Sequence, residues 1–578
     1  MHPLSPTFRQ WRSLEKRPML RAPAGSFRMA LASLSPYEIG MSNLGFHAVY
    51  RLANRQEDLA CERAFLPSGS DLEKLKKSRR QLITLESETP VQDFPVVALS
   101  VSFEADYLSL PQFLEVCGIP WRSEERGESD PVVLAGGAAV FLNPEPIADF
   151  IDLFALGEGE CLIPVLADCM RKSRSREELL GSLSRQPGYY RPLDWVPEYH
   201  PDGRLAGYRR RQPDSAPAPV RVRSGAHPAD RPPPHSVILT PEAELGEKLL
   251  VEISRGCACG CRFCWAGYNY LPPRACGADD ILSLARAYRP HTDKIGLVSA
   301  AVCDHPELDT LLQGLKELEY QVSFSSLRLD HLDSGRVADL LAGGEKTLTI
   351  APEAGTDRLR RVINKSITNR QILDTCDRLF RQGVLNLKCY FMVGLPTERQ
   401  EDLEGIVGLV RAIQECMRER RRAVKSIGRI SLDLHPFVPK PNTPFQWCSV
   451  EEERPLKQKL RFLQQQLSRI DNLTVKAESP RMSVLQALLS LGDRRLGAWI
   501  ARMNGRTAEW SRAAAETRVD PNFYLRREKA RDEFFPWNVF DTGLDSQFLW
   551  AERQRALDES ASPPCPGIPG CRRCGICD

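Results

Sequence analysis

Short apolar segments alternate with longer amphipathic segments in the first third of the chain. Four of the apolar segments have the length and composition of buried parallel strands: Phe27 to Leu34, FPVVALSVSF (94–103), PVVLAGGAAVF (131–141) and DLFALGEGE (152–160). Helical spacing follows these segments. This alternation predicts a doubly wound α/β sheet over residues 28–195, with a leader over residues 1–27 ahead of it.

Three glycine-containing loops follow strands of this predicted sheet. They are residues 35–45, 136–143 and 157–160. Doubly wound sheets bind ligands beyond the carboxyl ends of their strands, and glycine lets a ligand approach the backbone closely. A structural turn explains each glycine pair equally well.

The pattern changes twice in the remaining sequence. Residues 196–245 are rich in proline and poor in large apolar residues, which predicts a linker. Six strand candidates separated by helix-like sequence then lie in residues 246–475: KLLVEISRG, KIGLVSAA, QVSFSSLRL, TLTIAPEA, LNLKCYFMVGLP and RISLDLHPFVP. Six parallel strands with crossover helices predict a partial (β/α)6-type barrel. Residues 476–578 form a C-terminal region with amphipathic helices and a cysteine-rich tail.

Composition and charge do not indicate a partner. The 578 residues include 78 basic and 75 acidic side chains, for a formal net charge of +3, and 42% are hydrophobic. This balance gives no global argument for nucleic acid or an acidic membrane. We find no apolar run long enough to span a bilayer and no apolar core of a secretory signal near the N-terminus. We therefore expect a cytoplasmic protein with no membrane partner.

The 18 cysteines of the chain are expected to be metal ligands or small buried side chains rather than disulfides. Cys257, Cys261 and Cys264 have C-x3-C-x2-C spacing directly after the first predicted barrel strand. Three thiolates on one short loop suit a cubane cluster and leave one metal position open, as an active site needs. Cys259 in the same loop is interpreted as a bystander or reserve ligand, and a zinc site is the alternative.

The loop SRGCACGCRFCWAGY, with Phe263 before its last cysteine, resembles the signature of the radical S-adenosylmethionine (SAM) superfamily. The resemblance implies a [4Fe–4S] cluster on Cys257, Cys261 and Cys264, with Phe263 near the cofactor. It further implies that SAM binds the open iron and is cleaved reductively to a 5′-deoxyadenosyl radical. A reductant such as flavodoxin or ferredoxin would supply the electron.

Two later segments, TIAPEAGTDRLRRVINKSIT (349–368) and HPFVPKPNTPFQW (435–447), resemble the branch of this superfamily that contains methylthiotransferases, and YFMVGLPTE (390–398) resembles the fifth-strand glycine motif of the superfamily. In TIAPEAGTDRLRRVINKSIT the resemblance places Glu353 against the bound SAM. In YFMVGLPTE it places Gly394, Leu395 and Pro396 near the adenine. For Glu353, a carboxylate at a helix N-terminus is the structural alternative.

The second and third predicted strands carry weaker signals. Ser325 and Arg328 lie in the third predicted strand segment and are expected to reach the cofactor. Many superfamily members carry Gly-Gly-Glu after the second strand, but this chain has SAAVCDHP instead. Asp304 or the backbone carbonyls of residues 299–301 are the candidates to replace that motif.

Residues 28–450 resemble the uncharacterised radical SAM proteins that have a cobalamin-binding domain, through YEIGMSNLGF, NPEPIADFIDLFALGEGE and the barrel motifs. The resemblance implies a Rossmann-like domain that presents cobalamin to the radical site. The Asp-x-His-x-x-Gly motif that supplies a histidine to cobalt is absent, because His47 lacks the matching Asp and Gly. Cobalamin either binds without a protein histidine or has been lost. The candidate backbone contacts are Gly136, Gly137, Gly157 and Gly159.

The tail CPGIPGCRRCGICD contains Cys565, Cys571, Cys574 and Cys577 at ligand-like spacings. These spacings suit either a tetrahedral zinc site or a second Fe–S cluster. The alternative is a disordered tail with free thiols.

The sequence as a whole predicts a radical SAM enzyme that methylates, inserts sulfur into or rearranges an unknown substrate. Methylation requires cobalamin, and methylthiolation requires an auxiliary cluster, for which the tail is the candidate. RNA is a candidate substrate through the resemblance to methylthiotransferases. The rival hypothesis is a non-catalytic Fe–S, metal-binding or RNA-binding protein that retains the barrel as a scaffold.

Overall fold

Two parallel-sheet units and a group of C-terminal helices make up the protein. The computed structural model describes residues 2–18, 25–211, 220–222, 232–324, 347–420 and 428–577. A six-stranded sheet lies in the N-terminal part, and two smaller parallel sheets lie in the central part. The predicted α/β class, with a doubly wound sheet ahead of a barrel, is confirmed.

The N-terminal sheet has the strand order β2-β1-β3-β4-β5-β6. Its strands are β1 (Phe27–Ser33), β2 (Leu59–Phe65), β3 (Val96–Ser100), β4 (Val132–Gly136), β5 (Leu153–Ala155) and β6 (Tyr189–Tyr190). The first five are parallel, and β6 runs antiparallel to β5. Because the strand order reverses between β1 and β3, a crevice forms beyond their carboxyl ends, where doubly wound sheets bind ligands.

Strand β2 is missing from the sequence prediction because Glu62 and Arg63 interrupt its apolar pattern. All seven of its residues are nevertheless buried. The Arg63 guanidinium lies 2.7 Å from a carboxylate oxygen of Glu15 and 2.7 Å from one of Glu86. Burial of this charge is therefore compensated by two ion pairs.

The segment predicted as a leader is, over residues 2–18, a docked part of the fold. Its helix α1 (Ser5–Leu14) places Phe8 in the N-terminal core. Trp11 stacks on Tyr37 with ring centroids 4.2 Å apart. The prediction of a loose leader is wrong for this segment because the Glu15–Arg63 pair and the aromatic stack tie it to the sheet.

Helices cover both faces of the N-terminal sheet. They are α2 (Tyr37–Gly40), α3 (Leu44–Asn54), α4 (Gly69–Ser78), α5 (Leu110–Cys117), α6 (Ala138–Leu142), α7 (Gly159–Lys172) and α8 (Arg176–Ser184). Helix α3 begins after Asn43, whose side chain accepts a hydrogen bond from the Phe46 N–H as an N-cap. Helices α3 and α7 both border the crevice, since each starts just after a strand end.

Much of the predicted linker is also ordered. A hairpin of β7 (Trp195–Tyr199) and β8 (Leu205–Arg210) opens it, and β9 (Val220–Arg221) follows. Val237, Ile238 and Leu239 are buried. The proline-rich composition therefore misled the prediction for residues 196–211 and 232–245, while residues 212–219 and 223–231 lie outside the described part of the chain.

The described part of the central region contains nine strands, seven of which form two parallel sheets, while β11 and β12 pair antiparallel. Its strands are β10 (Leu249–Glu252), β11 (Ser254–Arg255), β12 (Arg274–Ala275), β13 (Lys294–Val298), β14 (Gln321–Phe324), β15 (Thr347–Glu353), β16 (Asn386–Val393), β17 (Arg429–Pro436) and β18 (Leu473–Ala477). Strands β10, β13 and β14 form one parallel sheet, and β15 to β18 form the other. Six of the seven correspond to predicted strands, and the short β18 was missed.

Strict alternation of burial along β16 and β17 shows which side chains face the barrel interior. Every second residue is fully buried against the surrounding helices, and the intervening residues are half-buried along most of each strand.

The surrounding and C-terminal helices are α9 (Ala266–Asn269), α10 (Ala278–Tyr288), α11 (Leu308–Glu317), α12 (Asp357–Val362), α13 (Asn369–Arg381), α14 (Gln400–Arg420), α15 (Glu453–Leu467), α16 (Pro480–Leu491), α17 (Leu496–Met503), α18 (Trp510–Thr517), α19 (Pro521–Leu525) and α20 (Ser546–Leu557). No helix in the described ranges has both the length and the apolar content to span a membrane.

Helices of the C-terminal region complete the N-terminal core. Leu488 of α16 and Trp499 of α17 belong to the same buried cluster as the N-terminal sheet. The Asn143 side-chain amide donates to the Ser490 carbonyl at 3.0 Å and to the Gly492 carbonyl at 2.8 Å. Residues far apart in sequence thus form one continuous core. A short strand, β19 (Phe540–Asp541), pairs with β9.

We expect Arg63→Met to destabilise the N-terminal unit by about 3–5 kcal/mol, because it removes the guanidinium shared by the buried Glu15 and Glu86 carboxylates and leaves Glu15 with Arg17 as its ion-pair partner. The measurement is the free energy of the first unfolding transition in urea. The control is Arg9→Met, since Arg9 is largely exposed in its pair with Glu88 and should change that free energy by less than about 0.5 kcal/mol. Equal effects of the two substitutions would contradict the assigned role of the buried pair.

Candidate functional site

The four clustered cysteines lie on a loop that begins where β10 and β11 end. All four are half-buried, and none of them is in a disulfide. Gly256 has φ +87°, and a Cβ at this position would lie only 2.2 Å from the Tyr270 carbonyl oxygen. The tight turn before Cys257 therefore requires glycine. We call residues 256–265 the cluster loop.

The cluster loop contains two chemically different kinds of thiol. Ligand atoms of Cys257, Cys259 and Asp304 all lie within 4.8 Å of one another. A hydrogen bond with Cys259 lowers the pKa of the Cys257 thiol. Burial raises the pKa of Cys261 to about 12, although Lys365 opposes that shift. Asp304 lies in SAAVCDHP, the segment that replaces Gly-Gly-Glu after the second barrel strand. It therefore supplies an acidic group beside the loop.

Glu353 lies on the barrel side of the same loop. It is a non-glycine residue with φ +66°, at the irregular end of β15, and such strained positions are often functional. Its carboxylate lies 3.6 Å from the Lys365 ammonium. Burial raises the pKa of Glu353, and Lys365 partly offsets this shift. The structure therefore brings Glu353 and Lys365 together with Cys261, as the electrostatic effect of Lys365 on that thiol shows.

The predicted glycine motif forms the turn after β16. Gly394 has φ +83°, and its N–H donates to both carboxylate oxygens of Glu398 at 3.0 Å. Lys459 in turn donates to Glu398 at 2.7 Å. Leu395 is buried in a small apolar cluster against which Phe263 packs, and Pro396 is half-buried at the turn. The Gly394 N–H is thus already hydrogen-bonded. The groups of Gly394 that could still face a ligand are its Cα and its carbonyl oxygen.

Two predicted cofactor contacts are not placed. Ser325 and Arg328 lie outside the described residues. Their role stays a prediction from the sequence.

Arg262 and Asn364 connect the cluster loop to neighbouring segments by hydrogen bonds. Neither residue was singled out from the sequence. Arg262 is fully buried; its guanidinium donates to the carbonyls of Arg361 at 2.9 Å and Val362 at 3.0 Å, and pairs with Glu552 at 3.2 Å. The Asn364 side-chain amide donates to the Gly260 carbonyl at 3.0 Å and the Cys259 carbonyl at 3.3 Å. The end of α12 and helix α20 therefore fix the loop's backbone.

A cavity of about 840 Å³ separates the N-terminal sheet from the barrel. This volume lies in the upper part of the range for ligand pockets. One wall comes from the carboxyl ends of β1, β3, β4 and β5 and from helices α3 and α7, and the other comes from β10, β13 and β14. The edge predicted to bind a ligand thus faces the barrel directly.

All four candidate glycines line this cavity: Gly136, Gly137, Gly157 and Gly159. Gly137 is required by the chain itself, since it has φ +116° and a Cβ would lie 2.4 Å from the Val101 carbonyl oxygen. At Gly159 the nearest atoms to a Cβ belong to Val49 and Leu52, at 3.6 Å. The backbone at Gly159 would accept another residue, but a side chain there would take up space at the cavity wall.

No histidine is among the described residues that line the cavity. His47 is buried, and its Nε2 lies 2.9 Å from the Met41 carbonyl oxygen. Burial lowers its pKa to about 4. His47 is therefore a core residue, as the missing motif around it indicates.

An ion-pair network joins the cavity wall to the cluster loop. Arg255, directly before the loop, lies 2.9 Å from Glu160, 2.7 Å from Glu252 and 3.3 Å from Glu158. Arg274 also pairs with Glu158 at 2.5 Å. Two of these carboxylates belong to the N-terminal unit, so the network fixes the distance between the cavity and the cysteines.

Polar side chains from neighbouring strands face the barrel interior, and none was singled out from the sequence. Lys388 pairs with Asp433 at 2.9 Å, and His435 Nδ1 lies 3.0 Å from Glu478. The hydrogen bond from Glu478 raises the pKa of His435. Within the described chain, Asp433 Oδ1 and His435 Nε2 are buried without a hydrogen-bond partner. These atoms favour a ligand with polar groups, because a buried polar atom without a hydrogen-bond partner costs free energy.

The four tail cysteines lie together on the far side of the cluster loop. All four line one small cavity, and Cys574 is only 6% exposed. Arg573, between two of them, donates to the Pro563 carbonyl at 2.7 Å. The tail is packed at these residues, which argues against the alternative of a disordered tail.

Family models match both sheet units. One described as "Radical SAM proteins, N-terminal" matches residues 45–192, and one described as "Radical SAM superfamily" matches residues 251–410. Together they cover more than half of the chain. The chain belongs to the radical SAM superfamily, and the radical SAM domain implies a [4Fe–4S] cluster, SAM and an external reductant.

Two known proteins are similar over most of the chain. The uncharacterised protein MJ0966 of Methanocaldococcus jannaschii is 29% identical over 420 residues, which are 72% of this chain and 82% of that protein. The cobalamin-dependent S-adenosylmethionine radical enzyme OxsB, in its structure with aqua-cobalamin bound, gives a TM-score of 0.51 at 13% identity, covering 93% of this chain and 80% of that chain. At this identity the likeness concerns the fold, and it confirms the predicted Rossmann-like unit followed by a radical SAM barrel.

We expect Asn364→Ala and Asn364→Gly to weaken retention of iron, because both remove the hydrogen bonds that hold the cluster loop. Asn364 has φ +55°, so the glycine variant separates loss of the side chain from backbone strain. The measurement is the rate at which the reconstituted protein loses iron to a chelator, and a several-fold increase is expected in both variants. If only the alanine variant changes, backbone strain rather than loop anchoring is responsible.

Proposed function

We propose that the protein is a radical SAM enzyme whose cluster ligands are Cys257, Cys261 and Cys264. A [4Fe–4S] cluster with one open iron would supply the electron that cleaves SAM to methionine and a 5′-deoxyadenosyl radical. The observation that carries the proposal is the cluster loop itself, which follows a parallel strand and meets Glu353 at its barrel side. Barrel enzymes keep their chemistry at this end of the strands.

The acidic groups near the loop are proposed to hold SAM. Glu353 and Asp304 lie beside the cysteines and can accept hydrogen bonds from the ammonium group of the cofactor. Lys365 lies within ion-pair distance of Glu353 and can balance its charge. The turn from Gly394 to Pro396 presents backbone to the adenine, and the positions of Ser325 and Arg328 in this scheme remain predictions from the sequence.

We further propose that cobalamin binds in the cavity between the N-terminal sheet and the barrel. The cavity lies at the topological switch point, has the size for a large cofactor and borders the strand that leads into the cluster loop. Its walls offer glycines and small side chains, and cobalt would receive no histidine from the described lining residues. The structural likeness to OxsB, which binds aqua-cobalamin, supports this assignment.

Among the reactions open to this family, the cavity favours cobalamin-dependent methyl transfer. Cobalamin held there would carry a methyl group next to the site of SAM cleavage. The substrate would occupy the barrel interior, where Asp433, His435 and their neighbours favour a molecule with polar groups. An external one-electron donor such as flavodoxin or ferredoxin would reduce the cluster.

We expect the anaerobically reconstituted and reduced protein to convert SAM to 5′-deoxyadenosine and the Cys261→Ala variant to form none. Removal of one of three thiolates opens the cluster to loss, so the electron source disappears. The measurement is 5′-deoxyadenosine by liquid chromatography and mass spectrometry. Cys416→Ala is the control, because Cys416 lies on α14, outside both cysteine clusters. A wild-type protein with a reducible cluster but no product would favour the rival hypothesis of a non-catalytic scaffold.

We expect Ala138→Trp to abolish cobalamin binding, because the indole would fill the cavity that Ala138 lines. The measurement is hydroxocobalamin retained after gel filtration, at about one equivalent for the wild type. Ala508→Trp, on an exposed position, is the matched control and should retain the cofactor. Equal binding by Ala138→Trp, or no binding by the wild type, would refute this location of the cofactor.

A further inference from the structure

The four cysteines of the C-terminal tail lie close together in the structure. Cys565, Cys571, Cys574 and Cys577 all line the same small cavity. Gly570 and Gly575 have φ values of +75° and +87° and turn the chain between the cysteines. The Gly570 N–H donates to the Cys577 carbonyl at 3.0 Å. These features place four thiols from a 13-residue segment on one small cavity.

The tail is held in place by the body of the protein. The Asp545 N–H donates to the Cys574 carbonyl at 2.8 Å. A Cβ on Gly575 would lie 2.8 Å from the Gly543 carbonyl oxygen, so the two segments are in close contact. Arg573 stacks over the Phe548 ring at 5.6 Å. The thiols are thus carried by a loop that packs against the body of the protein.

We propose that these four cysteines hold a second iron–sulfur cluster. Cys571, Cys574 and Cys577 have the C-x2-C-x2-C spacing of ferredoxin-type ligands. Tetrahedral zinc would need sulfur atoms roughly 4 Å apart, since Zn–S bonds are about 2.3 Å. Within the described residues, the tail sulfurs form no trio whose atoms all lie within 4.8 Å. A cubane spreads its ligands more widely, and four thiolates would leave it without an open iron.

The second site lies directly behind the cluster loop. The Cys565 N–H donates to the Ala258 carbonyl at 2.7 Å, and Ala258 lies between two loop cysteines. Gly260 and Tyr268 line the same cavity as the tail thiols. The Ser562 N–H also donates to Asn364 Oδ1 at 2.8 Å, and Asn364 holds the loop. A metal centre in the tail would therefore stiffen the support on which the first cluster rests.

The test uses full-length protein, purified without oxygen and reconstituted with iron and sulfide. The variants are the triple substitution Cys257→Ala, Cys261→Ala and Cys264→Ala, the tail substitution Cys571→Ala with Cys574→Ala, and the control Cys416→Ala. Iron, sulfide and zinc are measured per chain, and folding is checked by circular dichroism. We expect the triple variant to keep about four iron atoms, the tail variant to lose about four relative to the wild type, and the control to lose none.

The triple variant separates this site from the proposed radical chemistry, since it lacks the ligands of the first cluster. Zinc instead of iron in a folded triple variant would overturn the cluster assignment, and so would an absence of metal. If the tail variant fails to fold, alkylation of the wild type decides the matter. Tail cysteines protected from iodoacetamide in the reconstituted protein, and reactive after chelation, support the site. Equal reactivity in both states refutes it.

Discussion

The burial of Arg262 is the constraint on which the cluster loop depends. A fully buried guanidinium is tolerated only when ion pairs and hydrogen bonds compensate for lost hydration. Glu552 supplies the ion pair, and carbonyls at the end of α12 and at Ser560 accept the remaining hydrogen bonds. Glu552 lies 290 residues further along the chain, so the position of the loop depends on a contact with the C-terminal region.

The two sheet units meet in a way that places one cavity and one cysteine loop side by side. Carboxyl ends of strands in both units line the cavity. The edge of the N-terminal sheet that would bind a ligand therefore faces the strands of the barrel across this cavity. Arg255 then fixes their spacing, because it pairs with carboxylates from both units. Glycines and small side chains make up much of the N-terminal wall, which leaves room for a large cofactor without loss of the surrounding core.

The parts of the site that could be predicted are those encoded in short contiguous motifs. Cys257, Cys261 and Cys264 share one short loop after a strand, so their spacing alone indicates a candidate site. The resemblance to the superfamily pointed to Glu353, which ends β15, and to Gly394, which follows β16, and their roles stay predictions. Arg262 and Asn364 were missed because their function depends on contacts with distant segments, which no local pattern reveals.

The elements of the fold that the sequence did not predict also depend on contacts with residues far away in sequence. Strand β2 was missed because its charges are compensated by Glu15 and Glu86, which lie outside the strand. Docking of α1 depends on the same ion pairs. The proline-rich region was predicted as a linker from composition, yet Val237 to Leu239 are buried by partners elsewhere in the chain.

The contrast between the two cysteine groups follows from what each must do. A cluster that binds a substrate keeps one iron free, so three thiolates hold it and the protein must supply the remaining rigidity. Arg262 and Asn364 provide that rigidity through their hydrogen bonds around the loop, as residues that hydrogen-bond to metal ligands do at other metal sites. A group of four thiolates can satisfy its metal completely and needs no open face. In the proposed arrangement, a closed cluster in the tail would support the cluster loop, while the face of the loop toward Glu353 and the barrel would stay available for chemistry.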